Sequence, residues 1–253
     1  MALCARARSA SNGMNTEQIS QKTSILFDLD GTLTESRSLI SKQMSKLLIV
    51  LASKMDVVVI SGAQLSQMKK QIPWIMNGAV IAMGQSGNEV PEYWENKLTD
   101  VEVQHVLNHI EKIKKIYRIV DVDENDQIES RGGQVAFSLI GHNADKERKR
   151  EFDSSGEFRL DILRNIPFVH ELLMARVAGT TCFDYTRKDW GKAGNITRLM
   201  QKRRWDKNAC LYIGDALFEG GNDYPVKETG IECVAVSGPE DTKKIIDSLL
   251  LNK

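Results

Sequence analysis

Ser24-Ile25-Leu26-Phe27-Asp28-Leu29-Asp30-Gly31-Thr32-Leu33-Thr34 is the stretch on which the reading of this chain turns. A short continuous apolar run is what a strand shows when both its faces are covered, as in the parallel sheets of α/β proteins. The run ends in two acids, and the carboxyl ends of such strands are where open α/β sheets hold their ligands. Two carboxylates two residues apart can gather around a divalent cation and still leave one oxygen aimed at an electrophile, and the glycine after them frees the backbone to turn. A bare Asp-x-Asp is as readily a solvated acidic turn. The whole string behind an apolar strand argues for a site.

Working outward, Ser41 to Met55 carries Met44, Leu47, Leu48 and Leu51 at helical spacing, and Val57 to Ile60 is a continuous β-branched run. Helical Gln64 to Gln71 and apolar Ala79 to Met83 extend the alternation. It returns late, with a helix over Lys192 to Met200, strands over Ala209 to Ile213 and Ile231 to Val236, and a helix over Glu240 to Leu250. Between the two batches the texture changes. A helix from Val101 to Ile113 and a charged helix over Asp145 to Phe152 accompany strands over Gln134 to Ile140, Leu172 to Val177 and Thr180 to Tyr185. These strands alternate polar with apolar, as in an antiparallel sheet with one wet face. The expectation is a doubly wound, parallel-sheet, Rossmann-like α/β core over 22–87 and 187–253, with an inserted α+β cap domain over 88–186.

The composition, 42% hydrophobic and 27% charged over 253 residues, is that of an ordinary globular chain. Thirty-four basic against thirty-four acidic residues cancel, so no global field exists to hold nucleic acid or an acidic membrane surface. Apolar runs such as Leu47 to Ala52 are far short of the roughly 18 residues that span a bilayer. Cys4, Cys182, Cys210 and Cys233 show no metal-ligand spacing and read as reduced thiols, which points to the cytoplasm. Residues 1–21, with Arg6 and Arg8 but no amphipathic run and with Met14 as a second start, read as a disordered leader.

The Asp28 string resembles the nucleophile motif of the haloacid dehalogenase superfamily, and the superfamily's other motifs follow in order. Ser61 closes Val57-Val58-Val59-Ile60-Ser61-Gly62, Lys192 stands in Asp189-Trp190-Gly191-Lys192, and acidic strand ends appear in Ile213-Gly214-Asp215 and Gly220-Gly221-Asn222-Asp223. Each alone has a plain structural explanation: Ser61 as a helix cap, Lys192 as a surface lysine, the acidic turns as turns. Within the superfamily the chain is similar to the eukaryotic-type phosphomannomutases over nearly its whole length after Lys22. Further matches are Arg37, Arg131-Gly132-Gly133, Ser138-Leu139-Ile140-Gly141, Phe183-Asp184 and Pro239-Glu240-Asp241-Thr242.

The resemblance implies phosphotransfer on a hexose phosphate. Asp28 is the implied nucleophile and Asp30 the general acid and then base. Mg²⁺ is implied on Asp28, the Asp30 carbonyl and Asp215, with Asp223 supporting the metal or Lys192. Lys192 and Ser61, with Gly62 beside it, would hold the transferring group, and Arg37 and Arg131 would anchor the sugar phosphate. His142, Lys149, Cys182 and Asp184 fall where the family holds the distal phosphate or sugar hydroxyls. Three of these depart from the pattern: the family expects Arg at His142 and at Lys149, and Ser at Cys182. Neither His nor Lys reproduces the planar guanidinium fork. Arg148 or Arg150 could stand in after a small shift, although a charge run such as Lys146 to Arg150 is more often a solvated helix face. A sugar phosphatase of the same fold is therefore the alternative, and a catalytically silent binding protein a remoter one. The resemblance also admits a hexose bisphosphate activator and a homodimer through the cap.

Overall fold

The structure is a computed structural model that describes residues 21–91, 93–119, 124–153, 155–219 and 221–251. In chain order the elements are β1 (Ser24–Asp28), α1 (Lys42–Ala52), β2 (Asp56–Ile60), α2 (Leu65–Gln71), β3 (Ile81–Met83), β4 (Glu89–Val90) and β5 (Trp94–Glu95). Next come α3 (Asp100–Tyr117), α4 (Glu124–Gln127), β6 (Ile128–Ser130), β7 (Gln134–Ser138), α5 (Lys146–Asp153), α6 (Glu157–Asn165), β8 (Leu173–Ala178) and β9 (Cys182–Arg187). The chain closes with α7 (Lys192–Arg203), β10 (Cys210–Gly214), β11 (Glu232–Ala235) and α8 (Pro239–Leu251). Except for Gln21, the leader expected over residues 1–21 lies outside the described residues, as do Cys4 and Gly220. Among the described residues no helix is long and apolar enough to cross a membrane.

The chain divides into two compact units, one running to Trp94 and resuming at Lys192, the other Glu95–Gly191. The inserted unit thus starts and ends later than the 88–186 that the change of texture suggests. Val90, Tyr93 and Trp94 pack with the first unit's apolar cluster, whereas Trp190 packs with the second unit's. Burial, which a polar/apolar pattern cannot assign to one neighbour or another, draws the boundary.

In the first unit a five-stranded parallel sheet runs in the order β11-β10-β1-β2-β3. The strands are apolar throughout because successive side chains feed opposite layers. Ile25, Phe27, Val57, Val59, Leu211 and Ile213 pack with Met44 and Leu48 of α1, Met68 of α2 and Ile246 of α8. Leu26, Val58, Ile60 and Tyr212 pack with Ile196 and Leu199 of α7. β3 is shorter than the expected Ala79 to Met83 because the Ala79 N–H is taken by Asn77 Oδ1 at 3.0 Å, an Asx turn ahead of the strand.

The second unit is a four-stranded antiparallel sheet, β6-β7-β9-β8, packed on one face by helices. The register Ala175↔Tyr185↔Val135 and Val177↔Phe183↔Phe137 puts apolar residues on the helix-covered face. The other phase, Arg176↔Asp184↔Ala136↔Glu129, puts polar ones on the opposite face. α3 opens on a capping box between Thr99 and Glu102, and Asp145 Oδ1 accepts the Glu147 and Arg148 N–H groups at 2.9 Å at the start of α5. Sequence periodicity did not reveal α4, β6 or α6; the two shortest carry too few residues for a period to show.

One ion pair holds this unit from inside. Arg159 of α6 is fully buried, with Nε 2.8 Å from Asp153 Oδ2 and Nη1 donating to the Ala178 and Cys182 carbonyls at 2.7 and 3.0 Å. It therefore pins the β8–β9 turn, where Cys182 begins its strand. Removing one partner of a buried, hydrogen-bonded pair costs about 3–5 kcal/mol because the other charge stays buried. Arg159→Ala should lower the urea midpoint accordingly when unfolding is followed by circular dichroism. A midpoint equal to the parent's would contradict this role.

Candidate active site

The first unit's sheet reverses its direction of growth at β1, where α1 follows β1 toward β2 and β10 returns on the other side. This switch point, at the carboxyl ends of the strands, is where an open sheet leaves a crevice. Asp28 ends β1, Ser61 follows β2, and Asp215 follows β10 directly. The sequence string becomes a tight turn: Leu33 and Thr34 both donate their N–H to the Leu29 carbonyl, and Gly31 donates to Thr34 at 2.7 Å. Gly31 has φ +80°, and a Cβ there would collide with the Asp215 carboxylate; one at Gly214 would collide with that of Asp223. The glycines are what let the acids converge.

Lys192, at the start of α7 and buried, ties the acids together. Its Nζ donates to Asp28 Oδ1 and, at 2.6 Å, to Asp223 Oδ1. Tyr212 donates its hydroxyl to the same Asp223 oxygen at 2.6 Å, and the Ala216 N–H reaches Asp223 Oδ2 at 3.2 Å. Burial pushes Asp28 up to about 6, with Lys192 pulling against the rise and Asp223 and Asp215 adding to it. Burial also acts to lower Lys192, but Asp28 and Asp223 outweigh it, so the net shift is upward and the ammonium stays charged. Asp215, which is exposed, is raised first by desolvation and then by Asp223.

Asp28, Asp215 and Asp223 each offer a carboxylate oxygen, all within 4.8 Å of one another. An all-oxygen donor set with one ammonium against three carboxylates fits a hard divalent cation. The Asp30 side chain does not join this group, which corrects any reading of its carboxylate as a ligand. Its Oδ1 accepts from the Arg37 N–H at 2.6 Å and from Gln71 Nε2 at 2.9 Å. Asp223 is committed mainly to Lys192. Ser61 is buried and does not cap a helix: its Oγ accepts the Ala63 N–H at 3.1 Å, while α2 starts after Gln64. Gly62 and Arg37 are exposed, Arg37 with φ +56°.

The remaining expected residues lie in the second unit, on the polar face of its sheet. Arg131 Nη2 is 2.6 Å from Glu129 Oε2; burial lowers the guanidinium's pKa, and the bond to Glu129 more than restores it. His142 Nδ1 lies 4.0 Å from Cys182 Sγ, and this contact raises the imidazole. Burial works to raise the Cys182 thiol, but its bonds to His142 and Thr181 bring it below the ordinary range. Lys149 Nζ donates to the His142 carbonyl at 2.5 Å. Asp184 is raised by burial, with Arg176, Arg131 and His142 drawing it back. Arg148 is exposed, and the side chain of Arg150 lies outside those described. Sequence reasoning missed Tyr212, Gln71, Glu129 and Arg176. The last was readable from strand phase, two residues before Ala178 on the polar side of β8.

The fold that carries this acid cluster is haloacid dehalogenase-like. Solved structures similar to it include a haloacid dehalogenase-like hydrolase from Bacteroides thetaiotaomicron, at TM-score 0.56 and 15% identity, covering 89% of this chain and 98% of that one. An IMP-nucleotidase of Plasmodium falciparum is similar at TM-score 0.64 and 18% identity, covering 93% of this chain and 69% of the other. At such identities the likeness is one of fold. The eukaryotic phosphomannomutase family matches residues 44–252, and the chain belongs to that family of enzymes. A phosphomannomutase of Encephalitozoon cuniculi is 27% identical over 247 residues, 91% of this chain and 94% of that protein.

A bound cation stabilises a folded protein by mass action, RT ln(1 + [L]/Kd). Magnesium chloride should therefore raise the melting temperature of the parent, and the gain should shrink in Asp215→Ala, which lacks one carboxylate of the group. Equal gains in both would take Asp215 out of the cation site.

Proposed function

We propose that the protein is a Mg²⁺-dependent phosphotransferase that isomerises a hexose phosphate, with mannose 1-phosphate and mannose 6-phosphate as its substrate pair, through an aspartyl-phosphate on Asp28. The observation that carries this reading is the Lys192 ammonium held between Asp28 and Asp223 beside Asp215, in a chain of the phosphomannomutase family. A phosphate monoester is an anion that repels an attacking carboxylate. When bound on Asp28, Asp215 and the Asp30 carbonyl, Mg²⁺ supplies the positive charge that neutralises this repulsion.

The chain's own groups do the rest. The free Asp28 oxygen attacks one phosphorus of a hexose 1,6-bisphosphate, and the bond from that phosphorus to the sugar oxygen breaks, leaving a hexose monophosphate. Asp30 delivers a proton to that departing oxygen. Its Oδ1 is fixed by Arg37 and Gln71, and among the described residues nothing bonds its Oδ2, which is the oxygen left to carry the proton. Transfer back runs in reverse: Asp30 takes a proton from the free hydroxyl of a hexose monophosphate, which attacks the aspartyl-phosphate, re-forms the bisphosphate and frees Asp28. Lys192 offsets charge on the transferring group, and Ser61, whose Oγ already accepts from Ala63, has its hydroxyl proton left to donate. Arg131, oriented by Glu129, binds the phosphate that is not transferred.

A second reading has a specific basis. Lys149 is spent on the His142 carbonyl and His142 on Cys182 and the Ala136 carbonyl, so the two positions expected to carry Arg offer little grip. A weak second grip favours release, in which water takes the phosphoryl group and the enzyme is a sugar phosphatase. Mannose 1-phosphate and glucose 1-phosphate, each with and without a hexose 1,6-bisphosphate activator, decide between them. Formation of 6-phosphate supports the isomerase; free phosphate alone supports the phosphatase.

Asp28→Asn keeps the side chain's shape but removes the nucleophile, so turnover of either kind should vanish while the circular dichroism spectrum persists. Activity near the parent's would refute the assignment. Arg131→Ala should raise KM for hexose phosphates but not for a small ester with a single phosphate. Hydrogen bonds to charged groups contribute roughly 1.5–3 kcal/mol, about ten- to over a hundredfold. Equal effects on both substrates would remove Arg131 from the site.

A further inference from the structure

Two cationic forks are needed if the non-transferred phosphate is to be held firmly, and the polar sheet face of the second unit has one more than the sequence suggested. Arg176 stands in the middle of β8, directly paired with Asp184 of β9, which is paired in turn with Ala136 of β7 and through it with Glu129 of β6. Directly paired residues share a face. That face also carries Arg131 and His142: Arg131 bonds Glu129 of this row, and His142 lies against Cys182, two residues before Asp184 and in the same strand phase.

Arg148 is exposed, and four other cations of this unit are already engaged. Arg131 bonds Glu129, Lys149 bonds the His142 carbonyl, Arg159 bonds Asp153, and Arg187 bonds Glu102. Arg176 differs: it is half-buried, yet among the described residues its guanidinium makes no hydrogen bond and no ion pair. A partly desolvated guanidinium paired across the strands with a carboxylate it does not bond is a fork left open. Its five donors suit a phosphate dianion bidentately, which His142 and Lys149 cannot match.

We propose that Arg176, acting with Arg131, forms the second guanidinium fork of an anion site on this sheet face and takes the distal phosphate monoester of a hexose phosphate. The fork missing at 142 and 149 is thus supplied from a neighbouring strand. The inference rests on the functional reading above, which supplies the ligand class. It makes the absence of Arg at those two positions compatible with isomerisation rather than with hydrolysis.

The test uses the full chain carrying Asp28→Asn, so that ligand binds without being consumed, with Mg²⁺ present. Calorimetric titration with a hexose 1,6-bisphosphate is compared with the same titration after adding Arg176→Gln, Arg176→Lys or Arg148→Gln. Arg176→Gln should weaken binding roughly ten- to a hundredfold, the loss expected for hydrogen bonds to a charged group. Arg176→Lys should recover only part of it, because an ammonium is a point charge without the fork. Arg148→Gln should leave binding unchanged. Should Arg176→Gln fail to melt cooperatively, Arg176→Lys, which keeps the charge and stem, decides alone: parental affinity would overturn the proposal and weakened affinity would support it. Affinity within about twofold of the parent in a folded Arg176→Gln, or a loss that appears in Arg148→Gln instead, overturns the proposal and leaves the functional reading standing. If the Asp28→Asn parent binds no bisphosphate and no hexose 6-phosphate, the functional reading falls and the proposal with it.

Discussion

A single buried ammonium organises the first unit. Lys192 is nearly inaccessible, and so are Asp28 and Asp223, the two carboxylates it bridges. Burying charges costs several kcal/mol each unless they are paired and hydrogen-bonded, so each of the three makes sense only with the other two in place. Tyr212 and the Ala216 N–H take up the remaining acceptor capacity of Asp223. One Asp28 oxygen is left outside these bonds, and the Asp215 carboxylate is exposed. The excess of carboxylates over ammonium is a standing demand for positive charge, which a cation meets.

This arrangement sets conditions on distant parts of the chain. Asp28 reaches Lys192 only if β1 and β10 lie side by side in the register Phe27↔Ile213, and if α7 begins at Lys192 over that seam. Gly31 and Gly214 must lack side chains for Asp215 and Asp223 to come as close as they do. The apolar clusters on the two faces of the sheet have no catalytic content, but by holding β1, β10 and α7 in place they fix where the charges sit.

How legible each part was in the sequence follows from how local its cause is. The parallel sheet showed because strands covered on both faces are apolar at every position, and the site showed because Asp28, Asp30 and Gly31 are adjacent in the chain. Tyr212 was hidden, since a tyrosine in an apolar strand reads as core and its hydroxyl bond to Asp223 depends on how a later turn folds back. Gln71 looked like the polar end of a helix, yet it is buried and donates to Asp30. Arg159 lies in a helix that periodicity did not reveal, and only the path of the β8–β9 turn makes it a clamp. The chain divides after Trp94 for the same reason, because which cluster Trp94 joins is a matter of packing rather than pattern.

Position-by-position comparison also misleads about charge in an antiparallel sheet. Residues far apart in the chain share a face whenever the register pairs them, as Glu129, Asp184 and Arg176 do here. A phosphate responds to the fork that reaches it and not to the chain position from which the fork comes. Replacing Arg by His142 and Lys149 therefore removes a grip only if no other guanidinium occupies the same face. Lys149 and His142 have taken on structural bonds to the His142 and Ala136 carbonyls. The Arg176 guanidinium makes no hydrogen bond among the described residues and stands in the row that already holds Asp184, so this face carries a guanidinium that positions 142 and 149 do not reveal.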